Sequence, residues 1–398
     1  MRLDLAHAMR AAAELTRTRK LMDATKLIQD TLSGGGVGTI SPASPQHDPA
    51  GLLPRQDPAN DAPDEARTDA NRETFSGKRG PRPKWSLGDV VETLRRAELP
   101  GSTSLPSRSP AHGSPAIPAG AQFLSRSFTG PGGSRTYRLY LPAGRETTGL
   151  PLVVMLHGCT QNPEDFAVGT RMNGLAEKIG FLVAYPSQPA TANPSSCWNW
   201  FERKDQVRGQ GEPSIIAGLG EEIAAEYNLD RQRVFVAGLS AGGAMAAVMG
   251  ATYPDVFAAI GVHSGLAHGS ASDVMSAFAA MRGEIVPRPQ RESPSLATPR
   301  VIVFHGDADR TVHPANGERI VEPASTQPGN SIATETGKAG RRSFARTIIR
   351  EPSGQIRAEH WLVAGAGHAW SGGSTEGSYT DATGPDASRE MVRFFLKP

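Results

Sequence analysis

Gly238-Leu239-Ser240-Ala241-Gly242 constrains this 398-residue chain more than any other stretch. It follows the β-type run Arg233–Ala237 and precedes a small-residue helix over Ala241–Met249. Strand, G-x-S-x-G and helix in direct succession demand a turn so tight that bulky neighbours collide. Gly238 and Gly242 supply the clearance, and Gly243 lets the following helix pack close. Such a turn lifts the Ser240 hydroxyl off the sheet edge, which makes it a candidate nucleophile. A lone pentapeptide also fits a glycine-rich helix start, so its partners decide.

The bulk properties bound the remaining possibilities. The length allows about two or three domains. A formal net charge of +2 does not mark a nucleic-acid protein. No apolar run reaches the roughly 18 residues of a membrane-spanning helix. The N-terminus, Met1 to Ala8, mixes charge into every turn and shows neither the apolar core nor the cleavage site of an export signal. Two cysteines, Cys159 and Cys197, are too few for a disulfide scaffold but enough for one bridge.

Texture divides the chain into three. Residues 1–33 repeat Leu21, Ala24, Ile28 and Leu32 at helical spacing until Gly34-Gly35-Gly36, and are expected as an amphipathic helical segment. Residues 34–118 are rich in Pro, Gly and Ser and are expected as a linker without enough apolar surface to order it, except for a short helix at 86–97. From 119 to 398 the pattern changes. Strand-like runs at Gln122–Phe128, Tyr137–Leu141, Leu152–Leu156, Phe181–Tyr185, Arg233–Ala237, Ala258–His263, Val301–Phe304 and Ala358–Val363 alternate, in the centre, with helical stretches. Those stretches fall near 167–178, 213–227, 241–252, 272–282 and 386–396. The alternation predicts an α/β domain with a mostly parallel sheet and helices on both faces, with the first two strands as an antiparallel lead-in.

A serine hydroxyl needs a general base, and the base needs a third group to fix its tautomer. In folds that carry this turn the chain order is serine, acid, histidine. The buried run Val301–Phe304 opens a loop with two carboxylates, Asp307 and Asp309. Asp309 is the candidate acid, because His-Gly-x-x-Asp-x-x-Val makes Val312 the next apolar anchor; Asp307 reads as a turn residue bonding its own backbone. His368, on the loop Ala364-Gly-Ala-Gly-His-Ala-Trp370, is the candidate base. His360 lies inside a strand and reads as structural. For the oxyanion, the backbone amides of Ala241 and Cys159 are the expected donors, the second from the loop Leu156-His-Gly-Cys-Thr-Gln161. His157 then belongs under that loop. No cofactor or metal is called for.

These pieces resemble the polyhydroxybutyrate depolymerase family of serine esterases, which includes feruloyl and acetylxylan esterases. The resemblance rests on Leu156–Gln161, Cys197-Trp-Asn-Trp-Phe201, Gly238–Gly243, the run from His305 to Gly317 and Gly367-His-Ala-Trp-Ser-Gly-Gly373, in order. It implies an α/β-hydrolase fold and hydrolysis of carboxylic esters, with Ser240 as nucleophile, Asp309 as acid, His368 as base and Cys159 at an oxyanion-hole position. The expected substrates are short hydroxyalkanoate oligomers or small acyl esters. The alternative is a feruloyl or acetylxylan esterase acting on plant polysaccharide esters. A peptidase, or a non-catalytic protein binding a partner or a polyester granule through residues 1–33, ranks below both. Trp198, Trp200 and Trp370 are expected near the site as substrate contacts. Cys159 and Cys197 both lie in these motifs, and a disulfide between them is expected. Localisation is in conflict: no recognisable export signal points to the cytoplasm, while the resemblance and the bridge point outside the cell.

Overall fold

The central strands of this chain carry almost no polar side chain, because both faces of their sheet are covered. The computed structural model describes residues 114–284 and 299–397. The expected helical segment at 1–33, the short helix at 86–97 and all but the last residues of the 34–118 linker lie outside the described residues. The described chain opens with β1 (Gln122–Gly130) and β2 (Gly133–Leu141), an antiparallel hairpin, followed by β3 (Leu152–Leu156). Then come α1 (Pro163–Thr170), α2 (Met172–Ile179), β4 (Leu182–Pro186), α3 (Gly211–Glu226), β5 (Val234–Leu239), α4 (Ala241–Thr252) and β6 (Ala259–His263). The second half holds α5 (Val274–Met281), β7 (Arg300–Gly306), α6 (Ala315–Ser325), β8 (Ser331–Ala339), β9 (Arg342–Arg350) and β10 (Ile356–Val363). Two short strands, β11 (Trp370–Ser371) and β12 (Thr380–Asp381), and α7 (Ala387–Leu396) complete it.

The first ten strands form one sheet in the order β1-β2-β4-β3-β5-β6-β7-β10-β9-β8. Every neighbouring pair from β4 to β10 in that order is parallel, and the strands beyond are antiparallel at both ends. Side chains alternate between two cores. Leu152, Val154, Val234, Val236, Val301 and Val303 pack with α3 and α4 on one face. Val153, Met155, Phe235, Ala237, Ile302 and Phe304 pack with α1, α2 and α7 on the other. Register then sets the site. Leu156 pairs with Gly238, and Leu239 with His263, so β3, β5 and β6 end side by side. Gly306 pairs with Val363, so β7 and β10 release their loops together at the same edge.

One local expectation is corrected, and three further elements are found. The helix expected near 167–178 is two helices that meet at Arg171, whose backbone is left-handed (φ 54°). The first starts earlier, at Pro163, where the Asn162 side chain accepts the Asp165 N–H at 2.8 Å. The break is held by the Arg171 guanidinium, which donates to the Gly372 carbonyl. Strands β8 and β9 and helix α6 were not expected at all. The first six residues of β8 are all exposed, so no buried alternation marks them.

Candidate active site

Ser240 sits between β5 and α4 with φ 56° and ψ −118°, a conformation that costs a non-glycine residue about 1–3 kcal/mol. Packing enforces it. A Cβ on Gly238 would lie 2.3 Å from the Gly242 backbone, and one on Gly242 would lie 2.1 Å from the Leu156 carbonyl oxygen. Neither glycine is at positive φ, so what they contribute is clearance and not freedom. The Ser240 N–H donates to the His263 carbonyl at 2.9 Å, which pins the turn to the end of the next strand. The glycine-rich start of α4 lets the helix lie against β5 and β6: a Cβ on Gly243 would sit 3.0 Å from both the Gly238 and His263 oxygens.

The Asp309 and His368 loops leave the same sheet edge. His368 Nδ1 hydrogen-bonds Asp309 Oδ2 at 2.8 Å, which leaves Nε2 as the nitrogen available for chemistry. Asp309 Oδ1 accepts the N–H groups of Thr311 and Val312, each at 2.9 Å. Burial alone would push this carboxyl up. The charge and hydrogen bond of His368, with His305 and the Val312 N–H, outweigh it and hold Asp309 down at about 2. The carboxylate is therefore ionised at neutral pH. Asp307 is exposed and accepts from the Gly365 N–H at 2.6 Å, so it braces the base loop instead of bonding its own turn. No hydrogen bond joins Ser240 Oγ to His368 Nε2 among the described residues; such contacts commonly tighten only when substrate binds.

The loop after β3 reaches Ser240. A Cβ on Gly158 would fall 3.7 Å from Ser240 Cβ. Among the described residues the amides of Cys159 and Ala241 donate no hydrogen bond, while the Gly158 N–H is taken by Gln161 Oε1 at 2.9 Å. Cys159 and Cys197 are joined by a disulfide, with Cα atoms 4.2 Å apart. Beneath the loop, His157 Nε2 accepts the Gln188 N–H at 3.1 Å, so the proton is on Nδ1, which donates to the Gly158 carbonyl at 2.8 Å. Burial pushes His157 down to about 4 and keeps it neutral. Sequence reasoning missed Gln161, which also donates to Asp165 Oδ2 at 3.0 Å and to the Ser378 carbonyl at 3.1 Å. Its partners lie up to 217 residues away, and no local pattern signals them. It missed His263 as well. That ring accepts the Ser371 N–H at 2.9 Å and stacks between Phe304 and Trp370, which ties the Ser240 turn to the His368 loop.

The expectation that Trp198, Trp200 and Trp370 contact substrate is corrected. Their exposures are 0%, 6% and 1%. The Trp198 Nε1–H donates to the His157 carbonyl at 3.1 Å. The Trp370 Nε1–H donates to Ser388 Oγ at 3.0 Å, while its ring packs edge-on against Phe166. Trp200 packs edge-on against Phe201. A large ring with a satisfied polar tip stabilises a loop core as readily as a binding wall. The loop that bears two of these rings is fastened by buried Glu212, which accepts from the Asn199 N–H and side-chain amide, both at 2.8 Å.

A family model described as Esterase PHB depolymerase matches residues 135–343. The chain belongs to this family. The match takes in Ser240 and Asp309 and ends before His368. Among relatives, poly(3-hydroxyalkanoate) depolymerase C of Paucimonas lemoignei is 33% identical over 255 residues, which cover 62% of this chain and 60% of that protein. Feruloyl esterase B of Neurospora crassa is 31% identical, covering 54% of this chain and 77% of that protein. The chain thus spans less than two thirds of the depolymerase it resembles. An acetyl xylan esterase from Aspergillus awamori superposes with a TM-score of 0.54 at 22% identity, over 69% of this chain and 98% of that one. The esterase PHB depolymerase domain described here therefore has the α/β-hydrolase fold.

Proposed function

We propose that this protein hydrolyses carboxylic esters by a two-step acyl transfer. The observation that carries the reading is the His368–Asp309 hydrogen bond, released at the same sheet edge as the strained Ser240 turn and two unengaged amides. His368 Nε2 takes the Ser240 proton as the hydroxyl attacks the ester carbonyl, while Asp309 orients the ring and stabilises the imidazolium. The Cys159 and Ala241 amides receive the developing oxyanion, a contribution of about 3–4 kcal/mol per donor. The alcohol leaves with the proton from His368. Water, activated by the same nitrogen, then releases the acid and frees Ser240.

The substrates are short hydroxyalkanoate oligomers or small acyl esters, in keeping with the depolymerase relative. The feruloyl and acetylxylan esterase relatives support a second reading, polysaccharide esters of plant walls. The test of the reaction is wild type against Ser240→Ala on a p-nitrophenyl butyrate assay. A fall on the order of 10⁴- to 10⁶-fold is expected, and equal rates would remove the hydrolase reading. Hydroxybutyrate oligomers, feruloyl esters and acetylated xylan, assayed side by side, then choose between the substrates.

A further inference from the structure

Thr160 and Tyr379 are both non-glycine residues held at positive φ, 63° and 51°. They lie 219 positions apart in the chain, yet Thr160 Oγ1 and Tyr379 Oη are 3.1 Å apart at an exposed position. Both border the candidate machinery. Thr160 follows Cys159, and Gly158 before it packs against Ser240. The Tyr379 carbonyl accepts the Trp370 N–H at 2.7 Å, two residues past His368. Residues at positive φ persist only where their surroundings over-determine them, and they gather at sites that bind. Here the Thr160 N–H is held by the Ser195 carbonyl at 2.7 Å, next to the disulfide.

The partners fix the direction of the protons. The Cys159 carbonyl can only accept, and Thr160 Oγ1 lies 2.6 Å from it, so the single threonine proton points there. Thr160 Oγ1 must therefore accept from Tyr379, and the tyrosine proton is committed in turn. What Tyr379 Oη still offers is a lone pair. An oxygen that accepts and does not donate selects a group that donates, as an alcohol O–H does and an unsubstituted acyl chain does not.

We propose that Tyr379 Oη is a specificity-determining acceptor for a hydroxyl on the acyl part of the substrate, with Thr160 as its positioning partner. This rests on the esterase reading above. It favours 3-hydroxyacyl esters over plain acyl esters of equal length. The test is kcat/KM of the full chain for p-nitrophenyl 3-hydroxybutyrate and p-nitrophenyl butyrate, in wild type and Tyr379→Phe. Tyr379→Phe is expected to lose about ten-fold on the hydroxylated ester, the worth of one hydrogen bond, with the butyrate rate within about two-fold of wild type. Thr160→Val, which frees the tyrosine proton, is expected to reduce the same preference. An equal loss on both esters would reduce the pair to a loop brace and overturn the proposal, as would no change on either. Wild type that turns over neither ester would overturn the esterase reading itself, and this proposal with it.

Discussion

Strands β5 and β8 belong to one sheet, yet opposite constraints shape them. β5 is buried along its whole length, and backbone crowds both its end and the start of α4, so glycine is dictated at 238 and 242. β8 is an edge strand that pairs only with β9 and exposes most of its residues, so almost any polar sequence with extended backbone serves there. The comparison teaches where chemistry can be placed. A reacting group needs neighbours that leave it no other position, and this sheet provides them at its parallel centre.

The largest effect is expected at Asp309→Asn, which keeps the shape but favours the wrong tautomer of His368. Ester hydrolysis should fall about 10⁴-fold, and a fall below ten-fold would detach Asp309 from the reaction. Loss of the disulfide by Cys197→Ser opens a link of sequence separation 38, which costs about 4 kcal/mol in the chain-entropy model. Urea unfolding measures it, and an unchanged midpoint would mean the link contributes nothing. Gly242→Ala drives a methyl group into the Leu156 carbonyl and should cost about 3 kcal/mol, with activity lost along with stability; a fully active, equally stable variant contradicts the close approach.

Acid should weaken the centre of the sheet before its edges. Burial pushes His157 and His360 down from 6.5 to about 4, and His263 to about 3. Each binds a proton more readily unfolded than folded, so stability is full above pH 6.5 and falls as the pH drops toward the folded values. Asp309, pushed down from 3.8 to about 2, adds a further loss in that lower range. A urea midpoint that does not move between about pH 7.5 and pH 5 would show that these rings do not sit buried and neutral. The smallest effect belongs to the edge: Glu335→Ala on β8 removes an exposed pairing with Arg346 and should change stability by less than about 0.5 kcal/mol.

How much of this could be read in advance follows the same division. The eight strands expected from sequence are present, because buried runs such as Leu152–Leu156 have no polar residue to confuse them. The choice of Asp309 over Asp307 came from one apolar anchor, Val312, which is indeed buried and donates its N–H to that carboxylate. Strand β8 was illegible because its exposed positions carry no alternating signal. The tryptophans were misread for a different reason. Position next to a site motif shows that a ring is nearby, but only packing shows which way it faces, and Trp370 faces Phe166 and His263. The contacts of Gln161 with Ser378 and of Tyr379 with Thr160 escaped because they span 217 and 219 residues, where contacts are made by topology alone.

The link between Cys159 and Cys197 encloses α1, α2 and β4. A protease that cuts once anywhere inside this segment therefore produces two polypeptides that stay covalently attached. The nicked molecule would travel as one band without reductant and as two with it. Its Cys159 end would keep its tether to the loop of Trp198, so damage to the connecting turns need not release either piece until the sulfurs are separated.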